Sequence, residues 1–181
     1  IDITYAATEG AAGMSAAIDR LCERAEAAVA GGYNIIILSD RQIGPDRIDI
    51  PTLLATAAVH HHLIRKGLRT SVGLVVESGE PREIHHFCCL AGYGAEAINP
   101  YLAFDTLTDM HLNGAFPPEV DAHELVTRYI KSIGKGIAEG ELRIRMRGAQ
   151  PDGGLQLDQR FRHPAFLQKG RAPMVMRRDV A

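Results

Sequence analysis

Four consecutive apolar residues, Ile35 to Leu38, constrain the fold of this chain more than any other feature. Three of the four are β-branched isoleucines, which favour extended backbone. A short, continuous apolar run of this kind is typical of a strand in a parallel sheet, covered on both faces. The run therefore predicts an α/β fold in which neighbouring strands are joined by helical crossovers.

Apolar periodicity on either side of this run supports that fold. A spacing of three and four residues predicts helices, and short apolar segments predict strands. The predicted elements are a strand at 1–7, a helix at 14–29, a strand at 35–38, a helix opening at Pro51, a strand at 71–76, a helix at 82–90, a strand at 95–98, a helix opening at Pro100 and a helix at 120–137. This order predicts alternating βαβ units with a mostly parallel sheet, either half-barrel-like or open.

Glycines mark the predicted ends of several helices. Gly31 and Gly32 follow the first, Gly67 follows the second, and the sequence IGKG is expected to break the last. The buried stripe predicted for the second helix consists of Ile50, Leu53, Leu54, Ala57, Ala58, His61 and Ile64. The helix at 82–90 is expected to turn Ile84, Phe87, Cys88 and Ala91 inward.

A change of composition after Ala138 predicts a domain boundary. Residues 1–138 carry 11 Lys and Arg against 17 Asp and Glu, whereas residues 139–181 carry 9 against 5. The second segment is rich in Arg, Gly and Pro and has no sustained period. We expect residues 1–138 to form one α/β domain and residues 139–181 to be a divergent, partly disordered tail.

The net charge, the length of the apolar runs and the cysteine spacing limit which classes of function are expected for this chain. The net charge of −2 provides no long-range field for nucleic acid, and no apolar run approaches the roughly 20 residues that span a bilayer. Cys22, Cys88 and Cys89 lack the spacing of a disulfide framework. Nucleic acid and membrane are thus not expected as partners, and a reducing cytoplasm is the expected location.

Polar residues directly after the predicted strands form the candidate ligand pocket. They are Ser39, Asp40, Arg41, Glu77 and Asn99. Parallel α/β folds bind ligands at the carboxyl ends of their strands. The alternative is structural: Asp40 and Arg41 pair with each other or cap helices, Glu77 accepts bonds from loop amides, and Asn99 starts the turn before Pro100.

Histidine and cysteine clusters raise the question of a metal site. His60, His61 and His62 are consecutive, and His85, His86, Cys88 and Cys89 follow. Consecutive helical side chains point about 100° apart, so the three histidines cannot converge on one ion. The pairs of Cys89 with His85 or with His86 can share a helix face, but the sequence favours a structural role, with no metal ligand and no catalytic residue assigned.

Three segments carry a resemblance to a known family. They read GYNIIILSDR, IPTLLATAAVHHHLIRKGLR and SVGLVVESGEPREIHHFCCLAGYGAEAINPYLAFDTL. Residues 1–138 resemble the second half of the central domain of the glutamate synthase large subunit. The resemblance stops after IGKG, where the synthase domain that binds FMN would be expected to begin.

The resemblance implies a large flavoenzyme that aminates 2-oxoglutarate with ammonia from glutamine. An amidotransferase domain and an FMN-binding domain would then be the partners of this segment. The resemblance further implies that FMN and the iron–sulfur cluster are bound by other domains, and that the segment has no catalysis or cofactor of its own. Its implied role is to connect its neighbours rigidly.

Two further hypotheses follow from the residues. An alternative function is that of a stand-alone α/β protein that binds a metal or small ligand at the carboxyl edge of its strands. The tail has the composition of a shifted reading frame in GC-rich DNA, which suggests a truncated or frame-disrupted gene product. The DNA sequence beyond codon 138 tests this hypothesis, since an uninterrupted gene with the same tail in related strains would refute it.

Overall fold

The parallel sheet at the centre of the fold consists of three strands in chain order. The computed structural model describes residues 1–148. Strands β2 (Ile35–Ser39), β4 (Gly73–Glu77) and β5 (Ala97–Asn99) are parallel, with β4 in the middle. Helix α2 (Thr52–Arg65) connects β2 to β4, and α3 (Ile84–Gly92) connects β4 to β5. The predicted α/β class and the βαβ units are confirmed.

A second, two-stranded sheet lies beside the first. Strand β1 (Thr4–Ala6) pairs antiparallel with β3 (Arg47–Asp49). The residues before β1 run parallel to β2: the Ile3 amide donates to the Ser39 carbonyl, and the Ser39 amide donates to the Ile1 carbonyl, both at 3.0 Å. The strand at the start of the chain was predicted, whereas β3 was not, because its three residues carry only one apolar side chain.

Three more helices complete the described part of the chain. Helix α1 (Gly10–Ala30) follows β1, α4 (Tyr101–Leu112) follows β5, and α5 (Ala122–Gly148) comes last. Short 3₁₀ turns span Ala7–Glu9 and Arg69–Ser71. No helix within the described residues is long and apolar enough to cross a membrane.

One face of the parallel sheet forms the core. Ile36, Leu38, Leu74 and Val76 alternate along β2 and β4 and are almost completely buried. Small or branched residues of α1 and α2 pack beneath Ile36, Leu38 and Leu74, namely Ala17, Leu21, Ala25, Ala55, Val59 and Leu63. Val76 packs against Leu90 and Ala95 instead. Burial of apolar surface contributes about 25 cal/mol per Å² to the free energy of unfolding. This layer is therefore the main contribution to the stability of the fold.

The opposite face of the sheet is only partly covered, contrary to the prediction. Ile35 is 61% exposed, and Ile37 and Val75 are only half-buried. The apolar run predicted cover on both faces, but among the described residues the helices pack on the face of Ile36 and Leu38. Consecutive parallel strands with helices on one face are typical of a sector of a barrel, which is one of the two predicted forms of the sheet.

The buried side of α2 also differs from the predicted stripe. Thr52, Ala55, Thr56, Val59 and Leu63 are buried, whereas Leu53, Leu54, His61 and Ile64 are exposed. Alanine and threonine let the helix approach the sheet closely, and the Thr56 hydroxyl donates to the Thr52 carbonyl at 2.7 Å. The more apolar side of α2 thus remains on the surface. In α3, Phe87 is buried as predicted, but Ile84 is 40% exposed.

The predicted helix break at IGKG is wrong, because α5 continues through Gly134 and Gly136. An internal glycine costs a helix about 1 kcal/mol relative to alanine, which good flanking residues can overcome. The two glycines have different surroundings. A Cβ at Gly134 would meet nothing, whereas a Cβ at Gly136 would collide with the side chain of Ile84 on α3.

The divergent tail lies almost entirely outside the described residues. Residues Ile1–Arg143 form one unit of the chain and Ile144–Ala181 a second. The domain boundary after Ala138 and the disorder of the tail therefore stay predictions.

The glycine pair in α5 yields a testable difference. We expect Gly134→Ala to raise the free energy of unfolding by about 1 kcal/mol, because it improves helix propensity without a clash. Gly136→Ala should lower it by about 1 to 2 kcal/mol, because overpacking against Ile84 outweighs the gain in propensity. Chemical denaturation of the 181-residue chain measures both changes.

The variant Ile84→Ala tests whether contact with Ile84 causes the expected destabilisation by Gly136→Ala. In that background Gly136→Ala should become stabilising, since its new methyl group then has room. Equal effects of the two glycine substitutions in the original chain would contradict the close approach of α5 to α3.

Candidate functional site

Strand register brings three of the candidate residues side by side. Ser39 is the register partner of Glu77, and Glu77 is the partner of Asn99. All three lie at the carboxyl ends of their strands and on the same face of the sheet, because parallel register preserves the alternation of side chains. This arrangement was expected from their positions directly after apolar runs.

Glu77 is the centre of the cluster. The Ser39 hydroxyl donates to Glu77 Oε2 at 2.7 Å, and Arg41 Nε donates to Oε1 at 2.8 Å. The amide of Asn99 donates to the same Oε1 at 3.4 Å. Burial acts to raise the pKa of Glu77, but the hydrogen bonds from Arg41 and Ser39 outweigh it, so the pKa is lowered. Glu77 is therefore a paired carboxylate at neutral pH.

Arg41 is held on two sides. Its guanidinium carbon lies 4.1 Å from the centre of the Tyr101 ring, a cation–π contact, while its Nε is bonded to Glu77. The hydrogen bond to Glu77 raises the pKa of Arg41. The suggested pairing of Arg41 with Asp40 is wrong, since Arg41 binds Glu77. Tyr101 was not anticipated, although its place directly after Asn99 and Pro100 could have indicated it.

Asp40 belongs to a second, buried group. Its Oδ2 accepts the Ser78 hydroxyl at 2.6 Å and the Gly79 amide at 2.9 Å. Its Oδ1 is buried without a hydrogen-bond partner among the described residues. Burial of the Tyr101 ring, together with the nearby Asp40 carboxylate, raises the pKa of Tyr101 to about 12. Asp40 thus lies beneath the Arg41 and Tyr101 pair.

This buried group also fixes the start of α2. The Thr52 hydroxyl lies 2.7 Å from Ser78 Oγ, and the Thr52 amide donates to both carboxylate oxygens of Glu80 at 3.1 and 3.2 Å. Burial and the neighbouring Asp49 raise the pKa of Glu80. A carboxylate at a helix N-terminus satisfies an otherwise unpaired amide. Sequence patterns missed this cap because Glu80 lies 28 residues away from Thr52.

The three consecutive histidines serve different contacts. Arg69 Nε donates to His60 Nδ1 at 3.0 Å, and burial together with Arg69 lowers the pKa of His60. His62 Nε2 lies 2.9 Å from Glu26 Oε2 on α1, whereas His61 is exposed. Among the described residues, no three His, Cys, Asp or Glu side chains are arranged to hold a metal ion.

Arg69 ties the opposite edge of the sheet together. Its guanidinium donates to the carbonyls of Val72 and Gly94 at 2.7 and 2.9 Å and to Glu96 Oε1 at 2.8 Å. The side chain is only 13% exposed. It therefore joins α2, through His60, to the turn before β5.

The fold and the polar cluster around Glu77 together define the structural class of this protein. The chain is an α/β unit whose helices cover one face of a parallel sheet and whose polar residues at the strand ends bond mainly to each other. The family model for the glutamate synthase central domain matches residues 1–139. The chain belongs to the glutamate synthase central domain family.

Relatives with similar sequences are glutamate synthases. The chain is 44% identical over 137 residues to a glutamate synthase [NADH] of Schizosaccharomyces pombe, covering 76% of this chain and 6% of the relative. It is 48% identical over 116 residues to the glutamate synthase [NADPH] large chain of Bacillus subtilis, covering 64% and 8%. A ferredoxin-dependent glutamate synthase of Pyropia yezoensis is 38% identical over 147 residues, covering 76% and 10%. The chain thus spans about a tenth or less of these relatives.

The paired state of Glu77 predicts a specific pH dependence. Because its folded pKa is lowered, the carboxylate stabilises the fold above its unfolded pKa, and this contribution is lost as pH falls through the folded value. We expect Glu77→Gln to lower the free energy of unfolding by about 1 to 2 kcal/mol at neutral pH. The variant should also depend less on pH in the acidic range.

Denaturant unfolding between neutral and acidic pH measures this effect. Glu119→Gln is the matched control, because Glu119 is exposed. If Glu77→Gln and Glu119→Gln have the same stability profile, Glu77 does not hold the strand ends together.

Proposed function

We propose that this chain is a connecting, structural segment of a glutamate synthase and has no catalysis of its own. The parent reaction would be the glutamine-dependent amination of 2-oxoglutarate to glutamate. The amidotransferase and FMN-binding domains would be its partners, and FMN and the iron–sulfur cluster would be bound by domains other than this one. The parent enzyme would be a cytoplasmic oxidoreductase.

The observation that carries this proposal is the amount of apolar surface left without cover. On α2, Leu54 is 42% exposed and Ile64 is 49% exposed. On the open face of the sheet, Ile35 is 61% exposed. Exposed apolar side chains on a helix and on a sheet face offer surfaces that other protein segments can cover. A segment spanning about a tenth or less of its relatives has such surfaces where further parts of a longer chain would pack.

The polar cluster at the strand ends supports a role without chemistry. Glu77 is neutralised by Arg41, and Ser39 and Asn99 are also directed at it. A general base or nucleophile needs a free lone pair near the substrate. In a connecting segment the same bonds serve to fix geometry, because they hold the loops after three strands in one arrangement. Rigid spacing prevents an intermediate that passes between distant sites from being lost to water.

A domain exchange tests this role. Residues 1–139 would replace the matching segment of the Bacillus subtilis large chain, whose sequence is 48% identical over the aligned part. We expect the exchanged enzyme to keep glutamate synthase activity, and Leu54→Asp with Ile64→Asp to reduce it at least about tenfold, because charges would be buried at the contact. Purified separately, the 181-residue chain should form no glutamate from glutamine and 2-oxoglutarate.

Gln42→Asp is the control for the exchange, since Gln42 is exposed in the loop after β2. It should leave activity unchanged. Glutamate formation by the isolated chain, or full activity of the exchanged enzyme with both aspartates in α2, would contradict the proposal.

A second candidate function is binding of a small ligand at the strand ends, and one observation favours it. Asp40 Oδ1 is buried and lacks a hydrogen-bond partner among the described residues, which is uncommon in folded proteins. The Tyr101 hydroxyl lies near this carboxylate, so a ligand donor or a bound cation would compete with it for Asp40. Arg41 is already engaged by Glu77 and Tyr101, so the cluster fits the phosphate of FMN poorly.

Equilibrium titration with FMN and with inorganic phosphate tests the anion-binding form of this second function. We expect no saturable binding at millimolar concentration, because the guanidinium would have to leave its carboxylate. Arg41→Ala is the matched variant. Saturable binding that this variant abolishes would favour the ligand-binding function over the connecting one.

A further inference from the structure

A cavity between α2 and α3 combines apolar walls with a thiol. Its volume is about 300 Å³. Leu53 of α2 and Pro81 and Leu90 form apolar walls, and His85 and Cys89 of α3 line the same space. The cavity is distinct from the cluster around Glu77, none of whose members lines it. It is large enough for a molecule of several heavy atoms.

Helical spacing places an imidazole next to this thiol. Cys89 Sγ lies 3.6 Å from His85 Nε2, and the two residues are four positions apart on α3. Residues at this spacing lie above one another on one helix face. An imidazole in hydrogen-bond contact with a thiol can take its proton, and the resulting thiolate is the nucleophilic form of cysteine.

The other two cysteines have different surroundings. Cys22 lies in the core at 8% exposure, and burial raises the pKa of its thiol. Burial also raises the pKa of Cys88, which is directed about 100° away from Cys89 around the helix. The three thiols are free. The chain therefore contains two internal controls for the reactivity of the third.

We propose that Cys89 is a modification site, at which His85 acts as general base and the cavity accepts a small disulfide. His85 takes the thiol proton, and the Cys89 thiolate attacks one sulfur of the disulfide. The S–S bond of that molecule breaks as a new S–S bond to Cys89 forms. The leaving thiolate takes the proton from the imidazolium, so one disulfide and one thiol give one mixed disulfide and one thiol.

The walls of the cavity favour disulfides that are small and uncharged. Leu53, Pro81 and Leu90 offer apolar contact but no hydrogen bonds from their side chains. Glu80 also lines the cavity, and its carboxylate would repel an anionic disulfide. Hydroxyethyl disulfide is therefore a suitable probe, and a dicarboxylic disulfide is its charged counterpart.

The test is the rate of mixed-disulfide formation in the 181-residue chain. Trypsin should release residues 83–128 as one peptide, in which fragmentation mass spectrometry separates Cys88 from Cys89. We expect Cys89 to react at least about tenfold faster than Cys88 and Cys22, as thiolate activation by an adjacent base implies. The dicarboxylic disulfide should react more slowly at Cys89.

His85→Gln is the decisive variant. It should slow Cys89 by about tenfold or more and shift its rate profile towards higher pH, while His123→Gln, at an exposed histidine of α5 that does not line the cavity, leaves both unchanged. Unfolding in urea should abolish the preference for Cys89, which shows whether it depends on the fold. Equal labelling of Cys88 and Cys89, an unchanged rate in His85→Gln or a preference that persists in urea would each overturn the proposal.

Discussion

The burial of one face of the parallel sheet beneath α1 and α2 is the constraint on which the rest of the structure depends. Ile36 and Leu38 of β2 and Leu74 and Val76 of β4 are in register and buried together. Shifting either strand by one residue would turn these side chains to the open face and bring polar Ser39 or Glu77 to the face beneath the helices. The apolar layer therefore sets the register, and the register brings Ser39, Glu77 and Asn99 together.

Contacts at both edges of the sheet reinforce this register. At the carboxyl edge, Glu77 joins side chains from three strands, and at the amino edge Arg69 joins α2 to the turn before β5. Each hydrogen bond contributes on the order of 1 kcal/mol, less than the apolar layer as a whole. Their main effect is geometric, because charged groups with several partners restrict the loops to one arrangement.

Local patterns in the sequence were sufficient for the class, for the order of the helices and of the strands other than β3, and for the position of the polar cluster. The apolar run before Ser39 and the prolines before α2 and α4 carry that information in adjacent residues. Partners distant in sequence were not predictable: Arg41 was expected to pair with Asp40 but binds Glu77, and Glu80, in the loop after β4, caps α2 from 28 residues away. The prediction of which side of α2 is buried was also wrong. Apolar residues occupy both sides of that helix, and their periodicity does not distinguish one side from the other. Gly136 was expected to end a helix because its role depends on Ile84, 52 residues earlier in the chain.

The polar cluster around Glu77 and the pair of Cys89 and His85 differ in how far their bonds hold the fold together. Glu77, Arg41 and Ser39 satisfy one another, so a reaction at the strand ends would first have to break bonds that hold the fold. Cys89 and His85 face a cavity, and their contact can be broken without loosening the sheet. A segment whose most prominent polar cluster is engaged internally is suited to holding other domains in place. The disulfide exchange proposed at Cys89 would take place where α2 and α3 meet and would leave the bonds at the strand ends unchanged.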